Sequence, residues 1–157
     1  RRVLFRSMEV AIALEEHGQQ AEALALMRKA HTISPDNSTI TRRFAFTLFN
    51  RQQFSEAQSL LESLLGRESE EEAARTYILL AKLYRNPSNP QKSMEKAESY
   101  LLRAIRTESQ KQPALKVLGE LLIEENRLHP ALAILAQQLA LAPNDASARL
   151  QIGRAHV

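Results

Sequence analysis

The side chains able to move a proton or hold a metal are few: His17, His31, His129 and His156, and the adjacent pairs Glu15-Glu16 and Glu124-Glu125. Acid–base work needs two such groups aimed at one point. Neighbours on a helix point roughly 100° apart, so neither glutamate pair makes a dyad. No histidine has a second His or a carboxylate at metal-ligand spacing. With no Cys there is no thiolate nucleophile, thiolate zinc site or disulfide. Glycine loops for phosphate, H-E-x-x-H and G-x-S-x-G are absent. No catalytic, metal or cofactor-binding residue is therefore expected, and no enzyme activity within these residues. Phe46 and Phe49 raise a different possibility. Ile40, Phe44, Ala45 and Leu48 form the apolar stripe of their segment at helical spacing, and neither extra aromatic falls on it.

The elements that would carry these residues are helices. A chain of 157 residues rich in Leu and Ala, with four Gly and no Trp, is one domain by size and favours an all-α fold. No apolar run approaches the roughly 18 residues of a membrane span. A soluble chain, cytoplasmic by default, is expected.

Both ends look foreign. Arg1-Arg2-Val3-Leu4-Phe5-Arg6-Ser7 resembles a translated sequencing adapter, and Ile152-Gly153-Arg154-Ala155-His156-Val157 resembles its reverse complement in another frame. Residues 1–7 and 152–157 are expected to be scars flanking a native fragment, 8–151. Setting aside Arg1, Arg2, Arg6 and Arg154 leaves 17 of 21 Lys and Arg against 18 Asp and Glu, a net of −1 in place of +3. That balance gives no argument for nucleic acid.

Small residues recur at long, regular intervals. Ala11, Ala45, Ala81 and Gly119 are spaced by 34, 36 and 38, and Ala23, Ala57, Ala97 and Ala131 by 34, 40 and 34. Within each unit the two anchors stand 12 apart, except in the third, where Arg85–Gln91 (RNPSNPQ) lengthens the turn and makes it 16. Helices are expected near 8–17, 20–33, 38–51, 54–66, 70–86, 90–108, 112–125, 128–141 and, in part, 145–151. Asn37-Ser38 and Asn144-Asp145 offer caps, Asn89-Pro90 reads as a cap followed by a first-turn proline, and Gly66 suits a helix end. Glu68, Glu70, Glu71 and Glu72 crowd a helix start, where the dipole favours negative charge.

This pattern resembles the tetratricopeptide repeat family, whose unit is a helix–turn–helix of 34 residues with small residues at the helix contacts and a proline near its end. The likeness spans nearly all of 8–151 as four units, 8–37, 38–69, 70–109 and 110–143. Leu14, Leu48, Tyr84 and Leu122 stand for the family's large first-helix residue, and Met27, Leu61, Leu101 and Leu135 for its second-helix aromatic. Pro35 and Pro143 match the proline, while Ser69 and Ser109 depart from it. Tyr77 is the nearest equivalent of the family's Trp. Gly153 also fits a fifth unit's register, although it lies in a foreign end.

The resemblance implies a right-handed superhelical solenoid with a concave face lined by each first helix. The peptide-binding residues it implies are Arg42, Phe46, Phe49, Asn50, Arg75, Ile78, Lys82, Arg85 and Lys116, with Glu15, Glu120 and Glu124 beside them. An apolar floor beside a basic wall suits an extended acidic and apolar peptide. The implied role is a protein–protein interaction scaffold; the alternative is the recruiting arm of a larger enzyme, such as a transferase. The family's chaperone-terminus clamp is not expected, because Met8 and Ile12 stand where it needs Lys and Asn. Leu128, Leu132, Leu135 and Leu139 are expected to be covered only in part, leaving an end prone to self-association.

Overall fold

The computed structural model describes residues 2–155. Among them are nine α-helices and no strand: α1 (Arg2–Glu16), α2 (Gln20–Ile33), α3 (Ser38–Asn50), α4 (Phe54–Leu64), α5 (Glu70–Arg85), α6 (Met94–Ala104), α7 (Glu108–Glu124), α8 (Leu128–Leu141) and α9 (Ala146–Ala155). The chain divides into two compact units, Arg1–Glu68 and Ser69–Val157. In the first, α1 packs on α2, α2 on α3 and α3 on α4. In the second, α5 to α9 pack in chain order, and α5 also meets α7 while α7 meets α9.

The small anchors are where helices touch. Ala11, Ala23, Ala45 and Ala57 in the first unit, and Ala81, Ala97 and Ala131 in the second, have no exposed surface. Gly119 is buried too, and a methyl group added there would stand 3.2 Å from Leu135 Cδ2. Leu48, Tyr84, Leu122, Met27, Leu61, Leu101 and Leu135 fill the space around these contacts. Leu14 is only half-buried.

Three first helices end alike. Gly18, Gln52 and Asn126 adopt left-handed φ values of 77°, 60° and 57°. In each case the next amide reaches back five residues: Gln19 to the Leu14 carbonyl at 2.8 Å, Gln53 to Leu48 at 2.9 Å and Arg127 to Leu122 at 2.8 Å. These are Schellman closures, which satisfy carbonyls that the helix end would otherwise strand. Only Gly18 meets the left-handed geometry without steric cost.

Several boundaries differ from expectation. α6 starts at Met94 rather than 90, because Asn89 is not its cap. The Asn89 side chain is buried in the turn, donating to the Leu83 carbonyl at 2.9 Å and accepting from the Gln91 amide at 3.0 Å. Ser93 caps α6 instead, accepting from the Lys96 amide. α6 also stops at Ala104, and α7 starts at Glu108 rather than 112. Pro113 therefore lies inside α7, where it removes the bond that an amide would give the Ser109 carbonyl. Helix continues into both adapter-like segments, with α1 starting at Arg2 and α9 running to Ala155. Residues 1, 156 and 157 lie outside the described part, His156 among them.

Candidate functional site

In the first unit the expected binding residues sit on α3, and the fold uses part of that set for itself. Arg42 is buried at 7% exposure and donates to Glu68, so it is a structural cation. The sequence pattern puts it on a basic wall; its guanidinium is instead closed off by a carboxylate at the end of the same unit. Arg43 donates to Glu15, and Thr47 Oγ1 reaches the same carboxylate at 2.6 Å, joining α3 to α1. The Arg43 guanidinium also lies 5.2 Å above the Phe46 ring, a cation–π contact. Phe46 and Phe49 are both half-buried, and Phe49 meets Phe54 edge-on at 5.8 Å. Asn50 is exposed. The two phenylalanines and Asn50 are what this unit leaves accessible.

In the second unit Arg75, Ile78, Lys82 and Arg85 recur on α5 at helical spacing. Ile78 is 7% exposed and belongs to the core rather than to a surface. Arg85 is spent on α7: Nε and Nη2 grip Glu124 at 2.9 and 2.6 Å, and Nη1 reaches Glu120 at 2.9 Å. Burial lowers its pKa, but hydrogen bonds and charge from Glu124 and Glu120 more than offset that, and the net shift is upward. A cavity of about 280 Å³ beside it is lined by Arg85, Glu120, Ile123, Glu124, Gln151 and Arg154.

Of the residues expected to bind, three cations are exposed: Arg75 and Lys82 on α5 and Lys116 on α7. None has a carboxylate within ion-pair distance among the described residues. Lys82 precedes Arg85 by one turn and Lys116 precedes Glu120 by one turn, so the Arg85–Glu120 bond brings their stripes onto neighbouring helices. Lys116 is also near enough for its charge to help lower the pKa of Asp145, behind the larger effects of hydrogen bonds from Gln138 and Ala148.

Two of the histidines bond within the fold. His17 Nδ1 bonds the Ala13 carbonyl at 2.7 Å, and the His31 ring lies 5.5 Å from Phe44 with Nδ1 3.2 Å from Thr41 Oγ1. Among the described residues no three His, Asp or Glu gather closely enough to hold a metal, and no helix is long and apolar enough to cross a membrane. The ion pairs from Arg42, Arg43 and Arg85 were not anticipated. Opposite charges on neighbouring first helices, Glu15 against Arg43 and Glu120 against Arg85, are the signal that could have shown two of them.

Residues 14–84, from the end of α1 through nearly all of α5, match the tetratricopeptide repeat family. That stretch is built of tetratricopeptide repeats. Solved structures show the same all-α fold for almost the whole length of this repeat chain. PilF of Pseudomonas aeruginosa aligns with a TM-score of 0.82 at 18% identity, covering 98% of this chain and 68% of its own. MamA aligns with a TM-score of 0.73 at 18% identity, covering 98% and 80%. YrrB, described as a TPR protein with an unusual peptide-binding site, aligns with a TM-score of 0.61 at 23% identity, covering 96% and 74%. No curated protein matches the chain in sequence.

Proposed function

We propose that this repeat chain is a protein–protein interaction scaffold whose first helices hold a segment of a partner, and that the segment is acidic and apolar. One observation carries the reading: after the helices have paired their own charges, Arg75, Lys82 and Lys116 remain exposed with no carboxylate at ion-pair distance among the described residues. Arg42 and Arg85 are excluded from the contact set because each is already bound to glutamate, and Ile78 because it is core. In the first unit Phe46, Phe49 and Asn50 offer a smaller apolar surface. A peptide-binding site in the similarly folded YrrB supports the class of ligand, though not its identity.

The magnitudes suit reversible recruitment. An exposed ion pair contributes about 0.2–1 kcal/mol, so three cations give selectivity and salt dependence more than tight binding. Selection from a random peptide library should enrich acidic residues flanked by apolar ones. Arg75→Glu with Lys82→Glu should weaken the selected peptide by about tenfold or more. Unchanged affinity in that variant would remove these cations from the interface.

A further inference from the structure

A second basic feature of the Ser69–Val157 unit lies away from the Arg75 and Lys82 stripe. Tyr77 follows Arg75 by two residues, roughly 200° around α5, and faces α6. Its ring stacks on Tyr100 at 5.7 Å with 22° between planes, and Tyr100 stacks in turn on Tyr84 at 6.0 Å. Three rings in series make a stiff wall. Beside it opens a cavity of about 260 Å³ lined by Glu70, Tyr77, Arg103, Arg106 and Thr107.

The two arginines belong to the end of α6 and the tight turn after it, where the Arg106 amide bonds the Arg103 carbonyl at 3.2 Å and the Thr107 amide bonds that of Ala104 at 3.1 Å. That turn fixes both Cα positions relative to the tyrosine wall. The ordinary role for arginine here would be to bond the last helix carbonyls or a nearby glutamate. Neither guanidinium does so among the described residues; the one contact made is Arg103 Cζ at 5.7 Å from the Tyr77 ring centroid. Thr107 precedes α7, yet its hydroxyl caps no amide of that helix. Two planar donor forks and a free hydroxyl thus line one small cavity, opposed by a single carboxylate, Glu70.

We propose that this cavity receives an oxyanion carried on a partner peptide, with a phosphorylated side chain as its strongest form. Arg103 and Arg106 bind the oxygens through charge-assisted forks, Thr107 donates a further hydrogen bond, and the Tyr77 face seats the carbon chain that bears the group. Glu70 lowers the positive charge of the wall from two to one for any anion alike, and packing on Tyr77 is what favours a chain-borne phosphate over free inorganic phosphate. The site is independent of the exposed cations on α5 and α7.

Titration of ¹⁵N-labelled protein at constant ionic strength tests this with three probes: N-acetyl-phosphoserine methylamide, N-acetyl-glutamate methylamide and sodium phosphate. The expected result is saturable amide shifts confined to Tyr77 and residues 103–108, tightest for phosphoserine and weaker for glutamate and phosphate. Arg103→Ala with Arg106→Ala should weaken binding by about tenfold or more, and Glu70→Gln should tighten it. Arg75→Glu with Lys82→Glu should leave it unchanged, which separates this site from the surface proposed above. Shifts that persist in the Arg103→Ala, Arg106→Ala variant, no saturable shift with any probe, or binding of inorganic phosphate alone would each overturn the proposal.

Discussion

The Ser93 amide donates to the Tyr84 carbonyl at 2.9 Å, across nine residues of chain. In the other three helix pairs the corresponding carbonyl, of Leu14, Leu48 or Leu122, receives its bond from an amide only five residues on. Each donor, Gln19, Gln53, Ser93 or Arg127, stands four residues before the small anchor of the next helix, Ala23, Ala57, Ala97 or Ala131. The longer third turn therefore changes the loop and preserves the hydrogen bond that starts the second helix. Four extra residues are absorbed between Asn86 and Ser93.

Asn89 is the residue that makes the longer turn possible. Its buried amide satisfies the Leu83 carbonyl and its oxygen ties down Gln91. Asn89→Ala leaves those groups unmatched in a buried site and should cost about 1–3 kcal/mol. Urea unfolding of the two proteins measures it.

The three short turns predict a stabilising change. Gln52 holds a left-handed φ of 60° that strains its side chain. Gln52→Gly should raise stability by about 0.5–1 kcal/mol, the relief of strain exceeding the added flexibility of the unfolded chain. Gly18→Ala, in the same geometry, should move thermal stability in the opposite direction.

The anchor register has its own test. Ala57 is fully buried on α4, which packs against α3 and its buried Ala45. Ala57→Leu should overpack this contact and cost about 1–3 kcal/mol. A thermal melt matching the parent would contradict the placement.

Much of this packing was legible beforehand. A helix contact admits only a small side chain, so Ala11, Ala45, Ala81 and Gly119 mark the first helices and their partners the second, whatever the other residues are. Turn chemistry was less legible. Asn89-Pro90 has the form of a helix start, but the Asn89 side chain does more for the Leu83 carbonyl than it would for a helix amide. Which cations stay unpaired was the least legible. Arg42, Arg75, Lys82 and Arg85 look equivalent along the chain, and only their neighbours in space divide paired from unpaired. Glu68, which closes Arg42, is 26 residues away, and Glu120 is 35 from Arg85.

Acid should act on the start of α9. Asp145 accepts from Gln138 Nε2 at 2.6 Å and from the Ala148 and Ser147 amides at 3.1 and 2.9 Å, and these bonds hold its pKa below the ordinary value near 3.8. A carboxylate whose folded pKa is depressed contributes stability that is present above the unfolded pKa. That contribution is lost as pH falls through the folded value. Asp145→Asn should therefore be less stable than the parent at neutral pH and flatten the stability profile below about pH 4. Urea midpoints taken from pH 2 to pH 7 give both curves.

Unpaired first-helix cations that recruit an acidic, apolar peptide must lose it when their charge is reversed. Fluorescence anisotropy of one library-selected peptide, read against the parent chain and the Arg75→Glu, Lys82→Glu variant at low and high salt, addresses this most directly. Binding should weaken with salt and fall by about tenfold or more in the variant. Binding of equal strength to both proteins, insensitive to salt, would contradict it.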